Sequence, residues 1–155
     1  MSEKSEKYAL LQKQVASLTA GETNLTANLA NTAAAIHEAF GFWWTGFYLV
    51  EETQLVLGPF QGPVACTRIP YGKGVCGTAW QRRETVIVPD VEEFPGHIAC
   101  SSASRSEIVV PILRDGEVLG VLDIDSRELA TFDEEDAAGL EAIAARLSSL
   151  FSSIK

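Results

Sequence analysis

Apolar positions fall at helical spacing at both ends of the chain and at alternating spacing between them. Across residues 3 to 18, Tyr8, Leu11, Val15 and Leu18 form one stripe, the pattern of an amphipathic helix. Thr19-Ala20-Gly21-Glu22 reads as a capping box, its hydroxyl and carboxylate satisfying the orphan amides of a following helix. That second helix aligns Leu25, Leu29, Ala33, Ile36 and Phe40 on one face and is expected to stop at Gly41, a residue suited to a left-handed cap.

At Phe42 the period changes to two. In FWWTGFYLV, Trp43, Thr45, Phe47 and Leu49 share one face and Phe42, Trp44, Gly46, Tyr48 and Val50 the other, so both faces of this strand need a cover. Helices suit one face. Trp44 and Tyr48, flanking the small Gly46, read first as core and alternatively as a pocket wall, because buried indole and phenol groups need hydrogen-bond partners. A second strand is expected from Gln54 to Leu57, closed by Gly58-Pro59. A third, Val64 to Ile69, would hold Cys66 and end at Pro70. Gly72-Lys73-Gly74 then introduces a short helix carrying Cys76, Ala79 and Trp80; the glycine pair lacks the Gly-Lys-Ser/Thr ending of a phosphate loop. After a short strand, Thr85 to Val88, a turn-rich stretch with Pro89, Pro95 and Gly96 carries Cys100 and runs into a strand whose mouth is Glu107.

Two last strands, Ser106 to Leu113 and Glu117 to Asp125, are joined at Arg114-Asp115-Gly116, a strong hairpin signal. A two-residue loop would pair Glu107 with Ile124 and set Glu107 on the face opposite Asp123. A three-residue loop with Gly116 left-handed would pair Glu107 with Asp123 and Val109 with Val121, gathering Glu107, Asp123 and Asp125 on one face. The second register is the expected one. Such a cluster is costly on an apolar sheet unless a cation or solvent meets it. Thr131-Phe132-Asp133-Glu134 reads as a further capping box, opening a helix with Leu140, Ile143, Leu147 and Leu150 inward.

At 155 residues the chain, 1–155, is expected to form a single domain that includes the helix at 1–18. A net charge of −9 argues against nucleic acid, whose phosphates require clustered Lys and Arg. The start MSEKSEKYALLQ lacks the layout of a signal peptide, and no apolar run approaches the roughly 20 residues that cross a bilayer. A cytoplasmic, membrane-free location is therefore expected. Three cysteines, Cys66, Cys76 and Cys100, are an odd number for a disulfide framework. With no Cys-x-x-Cys, and with His37 and His97 in unrelated settings, no metal site is expected. His37 reads as structural; His97, in the Cys100 loop, reads first as a solvated loop residue and alternatively as a group that tunes the thiol. What remains is redox chemistry, nucleophilic chemistry or three inert thiols.

The hairpin VVPILRDGEVLGVLDIDS followed by FDEEDAAGLEAIA resembles the closing hairpin and helix of a GAF domain. Over nearly the whole chain, GFWWTGFYLV, LGPFQGPVACTRIPYGKGVCGTAW, VPDVEEFPGHIACSSASRSEIVVPI and GVLDIDS resemble the free methionine-(R)-sulfoxide reductases, a family of stand-alone GAF enzymes. The fold implied is α+β: a largely antiparallel sheet of about six strands with N- and C-terminal helices packed on one face. The resemblance implies Cys100 as nucleophile, Cys66 as resolving thiol and Cys76 as auxiliary recycling thiol. It places substrate-binding aromatics at Trp44 and Tyr48, and substrate-binding and acid residues at Glu107, Asp123 and Asp125. No cofactor is implied; thioredoxin is the implied external reductant, and a homodimer the implied assembly.

The residue types suit that reaction. A thiolate can attack a sulfoxide sulfur, but the oxygen must be protonated, so a carboxylic acid is needed within reach. Three clustered carboxylates resist full ionisation and can hold one proton near neutral pH. They would also oppose a nearby thiolate, a penalty that a substrate ammonium group offsets. A free amino acid is thus favoured over a peptide-bound residue. The rival expectation is a ligand- or redox-sensing GAF module without catalytic activity.

Overall fold

The computed structural model describes residues 2–97 and 103–151. In chain order the elements are α1 (Glu3–Thr19), α2 (Leu25–Phe40), β1 (Trp44–Glu51), β2 (Gln54–Gln61), β3 (Arg68–Pro70), α3 (Gly74–Arg82), β4 (Val86–Val88), β5 (Ser106–Arg114), β6 (Glu117–Ser126) and α4 (Glu134–Ser148). The strands form one sheet in the order β3-β2-β1-β6-β5-β4, and every pairing is antiparallel. The expected α+β architecture is present.

Strand alternation divides the interior in two. Phe47, Ile108, Val110, Ile112, Leu122 and Ile124 face a core shared with Tyr8, Leu11 and Val15 of α1, Leu29 and Ile36 of α2, and Leu140, Ile143 and Leu147 of α4. Trp44, Tyr48, Leu55, Val109 and Val121 face the other way, against Val75, Cys76 and Ala79 of α3. The helices at the chain ends therefore hold the sheet, while α3 roofs the opposite face. Trp44, Tyr48 and the acidic residues lie under that roof.

Several local expectations are corrected. Leu18 is 42% exposed, and the buried residue ending α1 is Thr19, whose hydroxyl donates to the Val15 carbonyl. Thr19 thus does not cap α2; Asn24 does, its side chain accepting from the Ala27 amide, while Glu22 accepts from the Asn24 amide. Gly41 ends α2 at φ 68°, as its type demands. The box at α4 is made by Asp133 and Asp136 rather than by Thr131 and Glu134. Alternation begins only at Trp44: Phe42 stacks on Phe40 and packs with the helices, and Trp43 packs on the α3 side.

β2 continues through Gly58-Pro59 to Gln61 instead of stopping at Leu57. Pairing resumes with Gly46 opposite Phe60 after a shift, so Gly58 and Pro59 stand opposite the single Phe47 and the one extra residue is absorbed as a bulge. Pro59 is tolerated because β3 covers only Gln54 to Val56 of β2, leaving the rest as an edge where a missing amide costs little. Correspondingly, the strand expected from Val64 is only Arg68–Pro70, and Cys66 sits on the preceding loop.

Candidate functional site

The β5–β6 hairpin decides where the acids go. Arg114 pairs with Glu117 across Asp115-Gly116, both at positive φ, which is the tight two-residue turn and not the expected three-residue one. Between Leu113↔Val118 and Ile112↔Gly120 the register shifts, leaving Leu119 as an extra residue. Gly120 lies where an added Cβ would stand 2.7 Å from the Tyr48 carbonyl oxygen, so β1 and β6 approach there as only glycine permits. Glu107 consequently pairs with Asp125, not Asp123, and Val109 with Asp123. The expected partners are wrong by two positions, but two is the side-chain period. All three carboxylates still share the face beneath α3.

Across the sheet, Asp125 lies opposite Trp44 and Asp123 opposite Gly46. An added Cβ at Gly46 would come within 2.3 Å of the Phe60 Cβ and 2.7 Å of the Trp44 ring. Glycine there makes room beside Asp123 and lets the aromatics close in. Trp44 stacks on Phe60 and on Tyr48, with ring centroids 5.1 and 6.0 Å apart. The Trp44 indole N–H donates to the Pro63 carbonyl at 2.9 Å, and the Tyr48 hydroxyl to the Cys66 carbonyl at 2.8 Å. Both polar handles therefore pin the Cys66 loop over the pocket. These aromatics are core on one side and wall on the other.

The pocket contains every expected substrate-binding residue, Trp44, Tyr48, Glu107, Asp123 and Asp125, together with Cys76 and with His97 and Ser104 from the segment around Cys100. Its volume of about 50 Å³ is several times the roughly 10–15 Å³ that one water needs. Glu107 and Asp123 are 6% and 5% exposed. Desolvation, reinforced by the charges of Asp123 and Asp125, pushes the Glu107 carboxyl well above its ordinary range, and hydrogen bonds to both aspartates favour its protonated form. Asp125 is also pushed well up, by burial and then by Asp123, although hydrogen bonds from Ser104 and Glu107 oppose the rise. Asp123 is raised less, because Glu107 and Cys76 both donate to it. The three carboxylates thus titrate together, all raised by burial, and the cluster retains a proton above the ordinary carboxylate range. Among the described residues, the Asp123 Oδ1 atom is buried with no hydrogen-bond partner.

Cys76 is a free, buried thiol. Burial and the three nearby carboxylates hold it strongly protonated, donating to Asp123. Cys66 is disulfide-bonded. Cys100 lies outside the described residues. His97, expected as a solvated loop residue, instead lines the pocket with its Nε2 4.0 Å from Glu107 Oε1, and desolvation lowers its pKa. Ser104 donates to Asp125 Oδ1 at 3.1 Å, a contact that residue type and spacing did not signal. His37, as expected, is structural: its Nδ1 is 3.1 Å from Thr45 Oγ1, on the face away from the pocket.

An aromatic-walled pocket with a carboxylate floor, one acid held protonated and one oxygen left unpaired can take a ligand bearing a cation and a short apolar chain. The GAF domain model matches residues 22–152. The chain is 60% identical over 141 residues to "GAF domain-containing protein A" of Dictyostelium discoideum, covering 90% of this chain and 89% of that protein. It is 50% identical over 145 residues to the free methionine-R-sulfoxide reductase of Escherichia coli, covering 93% and 88%. The X-ray structure of free methionine-R-sulfoxide reductase from Neisseria meningitidis in complex with its substrate superposes with a TM-score of 0.94 at 56% identity, covering 97% of this chain and 92% of that one. With this likeness running through sequence and fold together, the chain belongs to the GAF-domain family of free methionine-R-sulfoxide reductases.

Proposed function

We infer that this chain reduces free L-methionine-(R)-S-oxide to L-methionine at the pocket beneath α3. The observation that carries this reading is the convergence of Glu107, Asp123 and Asp125 under Trp44 and Tyr48, with Asp123 Oδ1 buried and unpaired. A substrate ammonium group would pair with Asp123 and relieve the mutual repulsion of the acids. The aromatics would enclose the side chain and the sulfoxide methyl. Selectivity for the R epimer is assigned from the relatives named for it.

In the reaction we assign, the Cys100 thiolate attacks the sulfoxide sulfur while a carboxylic acid of the Glu107–Asp125 pair protonates the oxygen. Methionine leaves as the thioether and the oxygen passes to Cys100 as a sulfenic acid. The Cys66 thiol then attacks that sulfur, a disulfide forms, and the oxygen departs as water. The balance is one sulfoxide and two thiols giving one thioether, one disulfide and one water. An external dithiol, thioredoxin in this reading, restores the thiols. The disulfide-bonded state of Cys66 and the free state of Cys76 support this division of labour. Recycling through Cys76 would require the pocket to open, since burial keeps that thiol protonated.

No resident cofactor enters this chemistry. Residues 1–155 act as a single domain in this reading, supported by the packing of α1 on α4. Dependence on reduced thiols favours the cytoplasm, and no helix among the described residues is long and apolar enough to cross a membrane. A homodimer stays part of the proposal. Cys100→Ser discriminates the enzyme from a sensing module: turnover should fall to background, while calorimetry still shows binding of free methionine sulfoxide. Undiminished turnover in Cys100→Ser would exclude the mechanism.

A further inference from the structure

One ligand atom each from Cys76, Glu107 and Asp123 lies within 4.8 Å of the other two, and all three residues are buried. They come from α3, β5 and β6, so no spacing motif in the sequence joins them. We propose that this trio binds one thiophilic divalent cation of the zinc class in the substrate-free protein, through Cys76 Sγ and one carboxylate oxygen each of Glu107 and Asp123.

Three observations carry this. The donor set is a thiol with two carboxylates, which suits zinc; magnesium and calcium seek shells of six or more oxygens. Zinc bonds of roughly 2.0–2.3 Å hold tetrahedral ligands about 3.5 Å apart, a modest contraction of a cluster whose ligand atoms lie within 4.8 Å of one another. Independently of that grouping, Asp123 is only 5% exposed, its Oδ1 is buried with no hydrogen-bond partner among the described residues, and the residue lines a cavity of about 50 Å³. That cavity has space for a cation and a solvent molecule at the fourth position. On binding, the Cys76 thiol proton and the Glu107 carboxyl proton are both released to solvent, leaving a thiolate and two carboxylates as ligands. The metal here is an occupant of the pocket, not a participant in catalysis. It would sit where the substrate ammonium group is placed under the proposed function, so competition with substrate rests on that reading, whereas binding does not.

The test uses the full chain with Cys66→Ser and Cys100→Ser, leaving Cys76 as the remaining cysteine, kept reduced with a phosphine and titrated with cadmium(II). The expected result is one equivalent bound with a thiolate-to-cadmium charge-transfer band in the ultraviolet, reversed by zinc(II). Glu107→Gln in that background should weaken binding at least about tenfold, and Cys76→Ala should abolish the band. Absence of the band in the chain that retains Cys76 overturns the site without relying on any substitution inside it. With wild-type protein, zinc(II) should raise KM for free methionine-R-sulfoxide and leave kcat unchanged at saturating substrate. Turnover with no cadmium band would overturn the metal site and leave the reductase; a band with no turnover would support the site and overturn the reductase.

Discussion

At the scale of single residues, the Glu107 carboxyl is the most consequential group in the molecule. It is buried, faces two aspartates and holds its proton well above the ordinary carboxylate range. A group whose folded pKa is raised contributes stability that is fully present below its unfolded value and is lost as pH rises through the folded value. Glu107→Gln keeps the shape and removes the ionisation. Its melting temperature relative to wild type, measured without ligand and with thiols reduced, should therefore rise steadily as pH increases above about 4.5, the ordinary value for glutamate. A difference that stays constant across pH would mean that Glu107 pays no such penalty. The sharing of one face by Asp123 and Asp125 was legible in the sequence from strand parity; Glu107 was expected beside them through a three-residue turn, whereas the observed two-residue turn brings it to that face only through the bulge at Leu119. The place of His97 beside Glu107 was not, since it depends on the path of a loop, and Cys100 lies outside the described residues.

At the scale of elements, α1 and α4 are clasped by a contact that helix propensity alone would forbid. Gly139 sits in mid-helix, where glycine costs about 1 kcal/mol relative to alanine. An added Cβ there would stand 2.3 Å from Tyr8 Cγ and 2.8 Å from Tyr8 Cβ, atoms near the α1 backbone that cannot swing away. The Tyr8 hydroxyl is also fixed, donating to Asp136 Oδ1 at 2.7 Å, while Lys4 reaches Asp136 Oδ2 at 2.8 Å. Gly139→Ala should thus destabilise by about 2 kcal/mol despite its better helix propensity, lowering Tm by roughly 4–8 °C with kcat unchanged. Thermal melts and initial rates on the same preparation check both halves; a raised Tm would show that α1 yields. Helices and strands were legible where apolar periodicity was long, as in α2 and β1. Capping residues and strand ends were not, because Asn24, Asp133 and Pro59 are placed by which neighbour the chain meets, and the hairpin register was set by a bulge at Leu119 that no turn signal announces.

At the scale of the whole molecule, the sheet has a helix-covered structural face and a pocket face roofed by α3. The pocket draws acids from β5 and β6, aromatics from β1 and a thiol from α3, so it exists only once the fold is complete. This division explains how an apolar sheet tolerates three buried acids: the structural face supplies the core, and the pocket face leaves the acids for a cation to meet. Under the proposed function it would also tie substrate choice to the amino group. The most direct measurement is thiol-driven conversion of free L-methionine-R-sulfoxide beside its S epimer and the N-acetylated R form, with product methionine or N-acetylmethionine quantified by chromatography. Turnover confined to the free R epimer is the expected result, because the acetylated nitrogen is an uncharged amide that cannot pair with Asp123. Equal turnover of the acetylated form would contradict recognition through the carboxylates, and no turnover of any form with reduced thiols would contradict the reductase itself.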